Sequence, residues 1–221
     1  MDYKKNIFAK QRGFLPRALG NLFVAVCLYL VVMMYAFSFI YVGVNVDGKC
    51  MEDLYHDQDI VYYLPTQNVT YGDVVVFKYS SSQDYMKRII AMEGDRINFN
   101  ITQGADGENI FTLTLNGKPL IEPYVKDQKG LTVTYLNMYE GANSLLSRYP
   151  SKFEDGDGVR KDYVVGEGEF FALGDNRAVS LDSSRYGSFK FENIKGKVEF
   201  YARKNHNVFS ELFLQFFWPF N

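Results

Sequence analysis

Two patterns of apolar residues divide the chain. Between Arg17 and Asp47, 29 consecutive residues carry no charge, and most of them are aliphatic or aromatic. Because a helix needs about 20 apolar residues to cross a bilayer core, this run predicts a transmembrane anchor over residues 18–44. The alternative is a cleaved secretory signal. Its apolar region would be about 7–15 residues long and would end at a small-residue cleavage site, so the pattern favours a retained anchor.

Beyond this run, short β-branched or aromatic stretches alternate with turns that contain glycine, aspartate and asparagine, which indicates a β-rich domain. Asn116 and Gly117 predict a tight hairpin, since both residues tolerate positive φ. Residues 126–162 are more polar and indicate an inserted or peripheral segment. The predicted strands are IVYYL (60–64), DVVVFKY (73–79), YMKRIIAM (85–92), RINFNI (96–101), IFTLTLNGKPL (110–120), EFFALGD (169–175) and KGKVEFYAR (195–203).

The C-terminal tail, residues 204–221, is rich in phenylalanine and leucine and contains the single tryptophan. Such side chains are costly to leave in water. They favour either a packed C-terminal element or docking at the membrane interface, where tryptophan and phenylalanine are stabilised. The pattern leaves both interpretations open.

Charge is unevenly distributed. The first 17 residues carry five basic residues against Asp2, whereas the remainder holds 19 basic and 25 acidic residues. Because positive flanks favour the cytoplasmic side, we expect a single-pass protein of the cell membrane with residues 1–17 in the cytoplasm and the later domain outside. The net charge of −2 argues against a nucleic-acid partner. With two histidines and two cysteines, neither a zinc site, nor another cofactor, nor a disulfide framework is expected.

Three stretches contain residues suited to catalysis. Cys50 lies six residues before His56, which could serve as its base, although the spacing alone leaves this pairing open. Lys87 stands in an apolar strand, where burial disfavours the ammonium form and yields a neutral base. The alternative is a lysine on an edge strand whose amine reaches solvent. Residues 174–187, GDNRAVSLDSSRYG, predict a hydrogen-bonded loop that is either functional or a structural turn network.

Together these stretches resemble type I signal peptidase, the membrane-bound Ser/Lys protease family S26. Five segments carry the resemblance: VDGKCMEDLYHDQDIV (46–61), YGDVVVFKY (71–79), YMKRIIAMEGD (85–95), LTLNGKPLIEPYV (113–125) and FALGDNRAVSLDSSRYG (171–187). It implies a mainly β, signal-peptidase-like fold after one N-terminal helix. A catalytic domain would cover 45–203, with a smaller β or irregular subdomain inserted at 98–168.

The resemblance also implies roles for individual residues. Cys50 takes the nucleophile position, where the family has serine, and its own N–H would help to hold the oxyanion. Lys87 takes the position of the general base, and Ser180 that of the serine that hydrogen-bonds this lysine. Asp182 keeps an acidic position whose usual arginine partner is here Ser184. The remaining implied positions are the structural-loop residues Asp175, Asn176 and Arg177 and the substrate-pocket residues Val44, Val46, Met51, Tyr55, Tyr85 and Met86.

Departures from the family pattern lie around the nucleophile. The usual Pro-Thr-Leu has become Asp53-Leu54-Tyr55, and a Gly-Asp pair has become Gln58-Asp59. Loss of proline and glycine weakens the backbone geometry that aims the nucleophile. Asp53 would also bring a carboxylate near the lysine and favour its ammonium form.

Two functions of different classes follow from this resemblance. The first is a membrane-anchored protease that removes signal peptides from exported precursors on the outer face of the membrane. It would use a nucleophile/lysine dyad, and because a free thiol ionises about two pH units below a free lysine, the pair can exist as thiolate and ammonium. The second is a homologue with weak or absent hydrolysis that acts as a binding or assembly factor for secreted surface or pilus subunits of Gram-positive bacteria.

Overall fold

The structure is a computed structural model that describes residues 3–52, 54–125, 127–156 and 160–204, with side chains from residue 17 onward. Asp53, His206 and the predicted aromatic tail beyond residue 204 therefore lie outside the described residues. The chain divides into two compact units, Met1–Val42 and Gly43–Asn221.

The first unit consists of a long helix, α1 (Tyr3–Ile40). Its stretch Arg17–Ile40 is apolar and has no buried side chain. At 1.5 Å per residue these 24 residues extend about 36 Å, which is long enough to cross a bilayer core. The aromatic side chains of Tyr35 and Phe39 contact each other near the end of the helix, with ring centroids 4.7 Å apart. Aromatic residues at this position suit a membrane–water interface.

The predicted anchor, 18–44, extends past the end of α1. Residues Val42–Asn45 form a strand that pairs within a sheet. Two β-branched valines flank Gly43 in this segment, and valine favours an extended backbone. The uncharged run thus contains both the end of the helix and the first strand, and apolarity alone does not separate them.

The second unit is mainly β, as predicted. Its strands are β1 (Val42–Asn45), β2 (Ile60–Leu64), β3 (Val74–Lys78), β4 (Asp84–Met92), β5 (Arg96–Gln103), β6 (Asn109–Leu115), β7 (Lys118–Pro119), β8 (Phe153–Glu154), β9 (Asp162–Val164), β10 (Glu169–Leu173), β11 (Phe189–Lys190) and β12 (Ile194–Ala202). Within the described part of this unit the helices are α2 (Gln128–Tyr139), α3 (Leu145–Arg148) and α4 (Ser183–Tyr186), with 3-10 turns at Pro150–Lys152 and Phe191–Asn193.

The larger sheet has seven strands in the order β1-β2-β12-β3-β4-β10-β11. Its central strand β3 is buried on both faces, which explains why its sequence is a continuous apolar run. Val74 and Val76 pack into one apolar cluster, and Val75 and Phe77 into another. This alternation follows from the two-residue period of a strand. The neighbouring strand β4 therefore lies in the interior of the sheet.

The smaller sheet has five strands in the order β7-β6-β5-β9-β8. The predicted hairpin is confirmed: β6 pairs with β7 across Asn116 and Gly117, whose φ angles are 52° and 75°. Both central residues have positive φ, as a type I′ turn requires. The strands of this sheet span residues 96–164, close to the insertion expected at 98–168.

The polar segment 126–162 contains a helix that the sequence pattern does not predict. In α2, the Asp127 side chain caps the first turn by accepting a hydrogen bond from the Gly130 N–H at 2.9 Å. Tyr135, Met138 and Tyr139 are buried in the cluster beneath the smaller sheet. Glycine, threonine and valine are weak helix formers, so packing rather than intrinsic propensity stabilises α2.

Candidate active site

A sulfur atom and an amine from distant parts of the chain meet in the larger sheet. Lys87 Nζ donates a hydrogen bond to Cys50 Sγ at 3.0 Å and another to the Met86 carbonyl at 3.1 Å. Lys87 is only 3% exposed. Its strand, β4, has neighbours on both sides, so the alternative of a solvated edge lysine is wrong. The two side chains are close enough to exchange a proton.

The loop of residues 46–59, here called the nucleophile loop, brings Cys50 to this position. Its ends are joined by two backbone hydrogen bonds of 2.8 Å, from the Val46 N–H to the Asp59 carbonyl and from the Gln58 N–H to the Val46 carbonyl. Met51 follows the cysteine and is fully buried. The buried methionine and the closed loop ends together fix where the thiol points.

A second loop, residues 174–187, contacts the nucleophile loop and is here called the scaffold loop. The Asn176 N–H donates to the Cys50 carbonyl at 3.0 Å. A Cβ added to Gly174 would lie 2.5 Å from that carbonyl oxygen and 2.3 Å from Ser180 Oγ. Only glycine therefore allows the two loops to approach this closely.

Ser180 does not make the hydrogen bond that the family resemblance implies. Its side chain is buried at 5% exposure, and its Oγ has no hydrogen-bond partner within the described parts of the chain. The oxygen lies over the backbone of Gly174, whereas the amine of Lys87 donates to Cys50 Sγ and to the Met86 carbonyl. The predicted Ser180–Lys87 hydrogen bond is thus absent from this structure.

Charged pairs hold the scaffold loop in place. Asp175 accepts two hydrogen bonds from Arg88, at 2.8 and 2.5 Å. Arg177 binds Glu122 through both terminal nitrogens and donates to the Gly174 carbonyl at 3.0 Å. Burial opposes the charge on Arg177, but the Glu122 carboxylate outweighs it and raises the pKa of this guanidinium. Bidentate pairs of this kind fix orientation as well as position.

Asp182 completes the loop. It accepts hydrogen bonds from the Gly174 N–H at 3.0 Å and from Ser184 Oγ at 2.8 Å. Ser184, the residue in place of the usual arginine, therefore still contacts the carboxylate, but as a neutral donor. The sequence pattern does not identify the partners Arg88 and Glu122 as site residues, although both lie inside segments that resemble the family.

The predicted substrate-pocket residues fall into two groups. Val46, Met51 and Tyr55 are buried in one apolar cluster, and the partly exposed Val44, Cys50 and Met86 pack against it. Burial raises the pKa of Tyr55 to about 12, so its phenol is neutral at physiological pH. Tyr85 belongs to a different cluster, but its ring centroid lies 5.0 Å from Lys87 Nζ. Five of the six predicted pocket residues thus share an apolar cluster with Cys50. The sixth, Tyr85, lies beside the amine of Lys87.

His56 does not pair with Cys50. Its Nδ1 lies 3.7 Å from Asp59 Oδ2 and 3.3 Å from Arg203 Nη1, while the contacts of the cysteine sulfur are with Lys87 and Met86. The lysine is therefore the base candidate that the geometry selects. Asp53, which the sequence places near the amine, lies outside the described residues.

A thiol in contact with a buried lysine, on a mainly β framework, suits a hydrolase that uses lysine in place of histidine. Comparison with known proteins agrees with this class. Residues 19–202 match the family model described as signal peptidase, peptidase S26. The chain therefore belongs to the signal peptidase family, which supports its assignment as a peptidase.

Individual relatives are moderately similar in sequence. Signal peptidase IB of Staphylococcus aureus strain COL is 28% identical over 183 residues, covering 80% of this chain and 85% of that protein. Signal peptidase I of Streptococcus pneumoniae serotype 4 is 30% identical over 177 residues, covering 73% and 82%. A crystal structure of a signal peptidase I from Enterococcus faecalis V583 aligns with 59% of this chain and 96% of that one, with a TM-score of 0.34 and 22% identity.

Proposed function

We propose that this protein cleaves signal peptides from exported precursors, with Cys50 as the nucleophile and Lys87 as its proton partner. The observation that carries the proposal is the 3.0 Å contact between the sulfur and the buried amine. Family membership supports the reaction class, since the relatives named above are signal peptidases. Because a thiol ionises more readily than a hydroxyl, the proton of Cys50 passes more easily to Lys87 than a serine proton would.

In the attack step, the thiol proton passes to Lys87 and the thiolate adds to the scissile carbonyl carbon. The negative charge that develops on the carbonyl oxygen requires hydrogen-bond donors. The N–H of Cys50 makes no hydrogen bond to any described residue, and we propose that it donates to this oxyanion. The side chain and backbone of one residue would thus supply both the nucleophile and a stabilising donor.

Collapse of the tetrahedral intermediate breaks the C–N bond, and the Lys87 ammonium donates its proton to the departing amine. The product is a thioester between Cys50 and the signal peptide. The lysine, now neutral, takes a proton from a water molecule that attacks the thioester carbonyl. Hydrolysis releases the signal peptide as a carboxylic acid and regenerates the thiol. A thiolate leaves more readily than an amine, so protonation of the amine limits the first half of the cycle.

The apolar helix α1 would place this chemistry at a membrane. We propose a single-pass anchor with a cytoplasmic N-terminus, based on the excess of basic residues before Arg17. Few residues separate the end of the helix, Ile40, from Cys50. A short connection suits a substrate that is cut just outside the bilayer. The small side chains of this substrate would bind near Val44 and Met86.

The test is cleavage of a precursor peptide with an Ala-x-Ala site by the full chain in detergent micelles, followed by mass spectrometry. We expect one cut after the second alanine, and its loss in both Cys50→Ala and Lys87→Met. Cys50→Ser is the matched variant, because a serine hydroxyl is also a nucleophile and serine is the residue type that the family has at this position. Cleavage that persists in Cys50→Ala would exclude the proposed nucleophile.

A second candidate function is a binding or assembly factor for secreted surface or pilus subunits. The observation that favours it is Ser180, whose hydroxyl makes no hydrogen bond to Lys87. A lysine without that partner is less tightly oriented, and catalysis is sensitive to sub-ångström errors. Tight binding of the Ala-x-Ala peptide without any product would support this function instead.

A further inference from the structure

The amine of Lys87 faces an aromatic ring as well as its two hydrogen-bond acceptors. An ammonium group has three N–H donors. Cys50 Sγ accepts one at 3.0 Å and the Met86 carbonyl accepts another at 3.1 Å. The ring of Tyr85 lies within reach of the third, with its centroid 5.0 Å from Nζ. This distance is inside the range of about 6 Å in which a cation is attracted to an aromatic face.

Other aromatic side chains hold the Tyr85 ring in this orientation. Tyr79 stacks on it, with centroids 4.3 Å apart and an angle of 2° between the ring planes. Phe77, which is fully buried, contacts it edge-on at 6.1 Å. Burial and the neighbouring Tyr186 raise the pKa of Tyr85. Its hydroxyl therefore stays neutral, and the ring acts on the cation through its π electrons rather than as a phenolate.

We propose that Tyr85 is a positioning residue that holds Lys87 as an ammonium ion beside the Cys50 thiolate. This inference rests on the Cys50–Lys87 dyad of the proposed function. It gives Tyr85 an electrostatic role toward Lys87 in addition to its expected place in the substrate pocket. The ring lies 5.0 Å from the amine, which makes no hydrogen bond to Ser180. A neutral amine gains little from an aromatic face, so the contact selectively favours the charged pair.

The charged pair has a measurable consequence at the sulfur. A thiolate reacts with alkylating reagents, whereas a thiol does not, and a free cysteine is only a few per cent thiolate at pH 7. The chain has two cysteines, so a Cys27→Ala background leaves Cys50 as the single thiol. The rate of its alkylation by iodoacetamide at pH 7 then reports the thiolate population without any peptide substrate.

In this background we expect Lys87→Met to reduce the alkylation rate to that of a free thiol. Tyr85→Leu should reduce it about fivefold, which corresponds to about 1 kcal/mol and to the usual size of a cation–π contact. Tyr85→Phe keeps the ring and should remain within about twofold of the parent. Tyr71→Leu, at an exposed tyrosine outside the Tyr85 cluster, is the control for a general effect of losing a tyrosine.

A second series separates the electrostatic role from simple packing. Phenylalanine analogues with increasing fluorination at position 85 keep the shape of the ring while removing negative charge from its face. We expect the alkylation rate to fall stepwise with each added fluorine, whereas packing alone predicts equal rates. A flat series, or Tyr85→Leu equal to the parent, would overturn the inference.

Failure of this inference is distinguishable from failure of the proposed function. Peptide cleavage with a flat fluorination series would leave the protease in place and remove the role of Tyr85. A stepwise series without any peptide cleavage would keep that role and exclude the protease.

Discussion

A hydrogen bond from the Asn176 N–H to the Cys50 carbonyl joins the scaffold loop to the nucleophile loop, but the two loops are held in different ways. The scaffold loop is fixed by buried charges, with Arg177 and Asp182 at 3% and 2% exposure. The nucleophile loop is closed by backbone hydrogen bonds and has an exposed residue, Gln58, in a left-handed conformation with a φ of 73°.

This difference leads us to expect that the two loops tolerate sequence change to different degrees. Removing one partner of a buried charged pair leaves the other charge without compensation, so the scaffold loop tolerates little change. A loop held by its own backbone accepts new side chains as long as its ends stay joined. Relative to the signal-peptidase pattern that the sequence resembles, the substitutions at Asp53-Leu54-Tyr55 and Gln58 lie in the nucleophile loop. The scaffold loop keeps Asp175-Asn176-Arg177, and its one departure named above, Ser184, still donates a hydrogen bond to Asp182.

The largest expected effect comes from breaking the scaffold loop at Arg177. Arg177→Met leaves the buried Glu122 carboxylate without its partner, and we expect a loss of about 3–5 kcal/mol in the free energy of unfolding. The measurement is denaturant unfolding of the full chain in micelles. Arg160→Met is the matched control, since its pair with Glu140 is about half exposed and should contribute less than about 1 kcal/mol. Equal losses in both variants would refute the contrast between the buried and exposed pairs.

The next largest effect concerns the junction between the loops. In Gly174→Ala the new methyl group would overlap the Cys50 carbonyl and Ser180 Oγ, at 2.5 and 2.3 Å. We expect a stability cost of about 1–3 kcal/mol and, because the thiol moves with its backbone, a loss of about 100-fold in peptide cleavage. Gly48→Ala serves as a contrast, since an added Cβ there meets nothing within 4 Å. Its cost should come only from the positive φ. Unchanged cleavage in Gly174→Ala would contradict the proposed junction.

Acid should lower the free energy of unfolding, because it protonates Glu169 in β10, the strand that leads into the scaffold loop. Burial opposes the charge of Glu169 in β10, but hydrogen bonds from Lys152, Ser188 and Lys190 outweigh it and lower its pKa to about 2. A lowered carboxylate pKa contributes stability at pH values above the unfolded-state pKa of 4.5, and this contribution is lost as the pH falls from 4.5 towards about 2. We expect the loss to be on the order of 2–3 kcal/mol.

The matched variant for this prediction is Glu169→Gln, which cannot ionise. Thermal unfolding between pH 6 and the acid limit should show a smaller decrease for the variant than for the parent. Parallel pH curves for the two proteins would show that Glu169 is not the group responsible.

The smallest expected effect is a gain in the nucleophile loop. Gln58 has a φ of 73°, which costs a residue with a side chain about 1 kcal/mol relative to glycine. Gln58→Gly should therefore raise the free energy of unfolding by about that amount while leaving its hydrogen bond to the Val46 carbonyl in place. Gln83→Gly, in the turn before β4, is the control that lacks this positive φ. A loss of stability in Gln58→Gly would show that the loop is not strained there.

The sequence predicts the strands and the contact between Cys50 and Lys87 better than it predicts the contacts around them. Strand β2 coincides with the predicted run 60–64, and the Asn116-Gly117 turn is confirmed, because both depend on local patterns. Cys50 and Lys87 were paired through the family resemblance, since no local pattern links residues 37 positions apart.

What the sequence does not predict depends on tertiary packing. Helix α2 contains several weak helix formers, and the burial of Tyr135, Met138 and Tyr139 stabilises it. The Arg177–Glu122 pair joins residues 55 positions apart. The position of Ser180 Oγ depends on its close approach to the backbone of Gly174, which a motif does not encode.

The central claim is that Cys50 forms a covalent thioester with the substrate while Lys87 carries the proton. The most direct test is mass spectrometry of the protein after rapid acid quenching of its reaction with an Ala-x-Ala precursor peptide. We predict an adduct on Cys50 with the mass of the N-terminal peptide fragment, and no adduct in Cys50→Ala. Release of the cleaved peptide by Cys50→Ala at the parent rate, without any adduct, would contradict the claim.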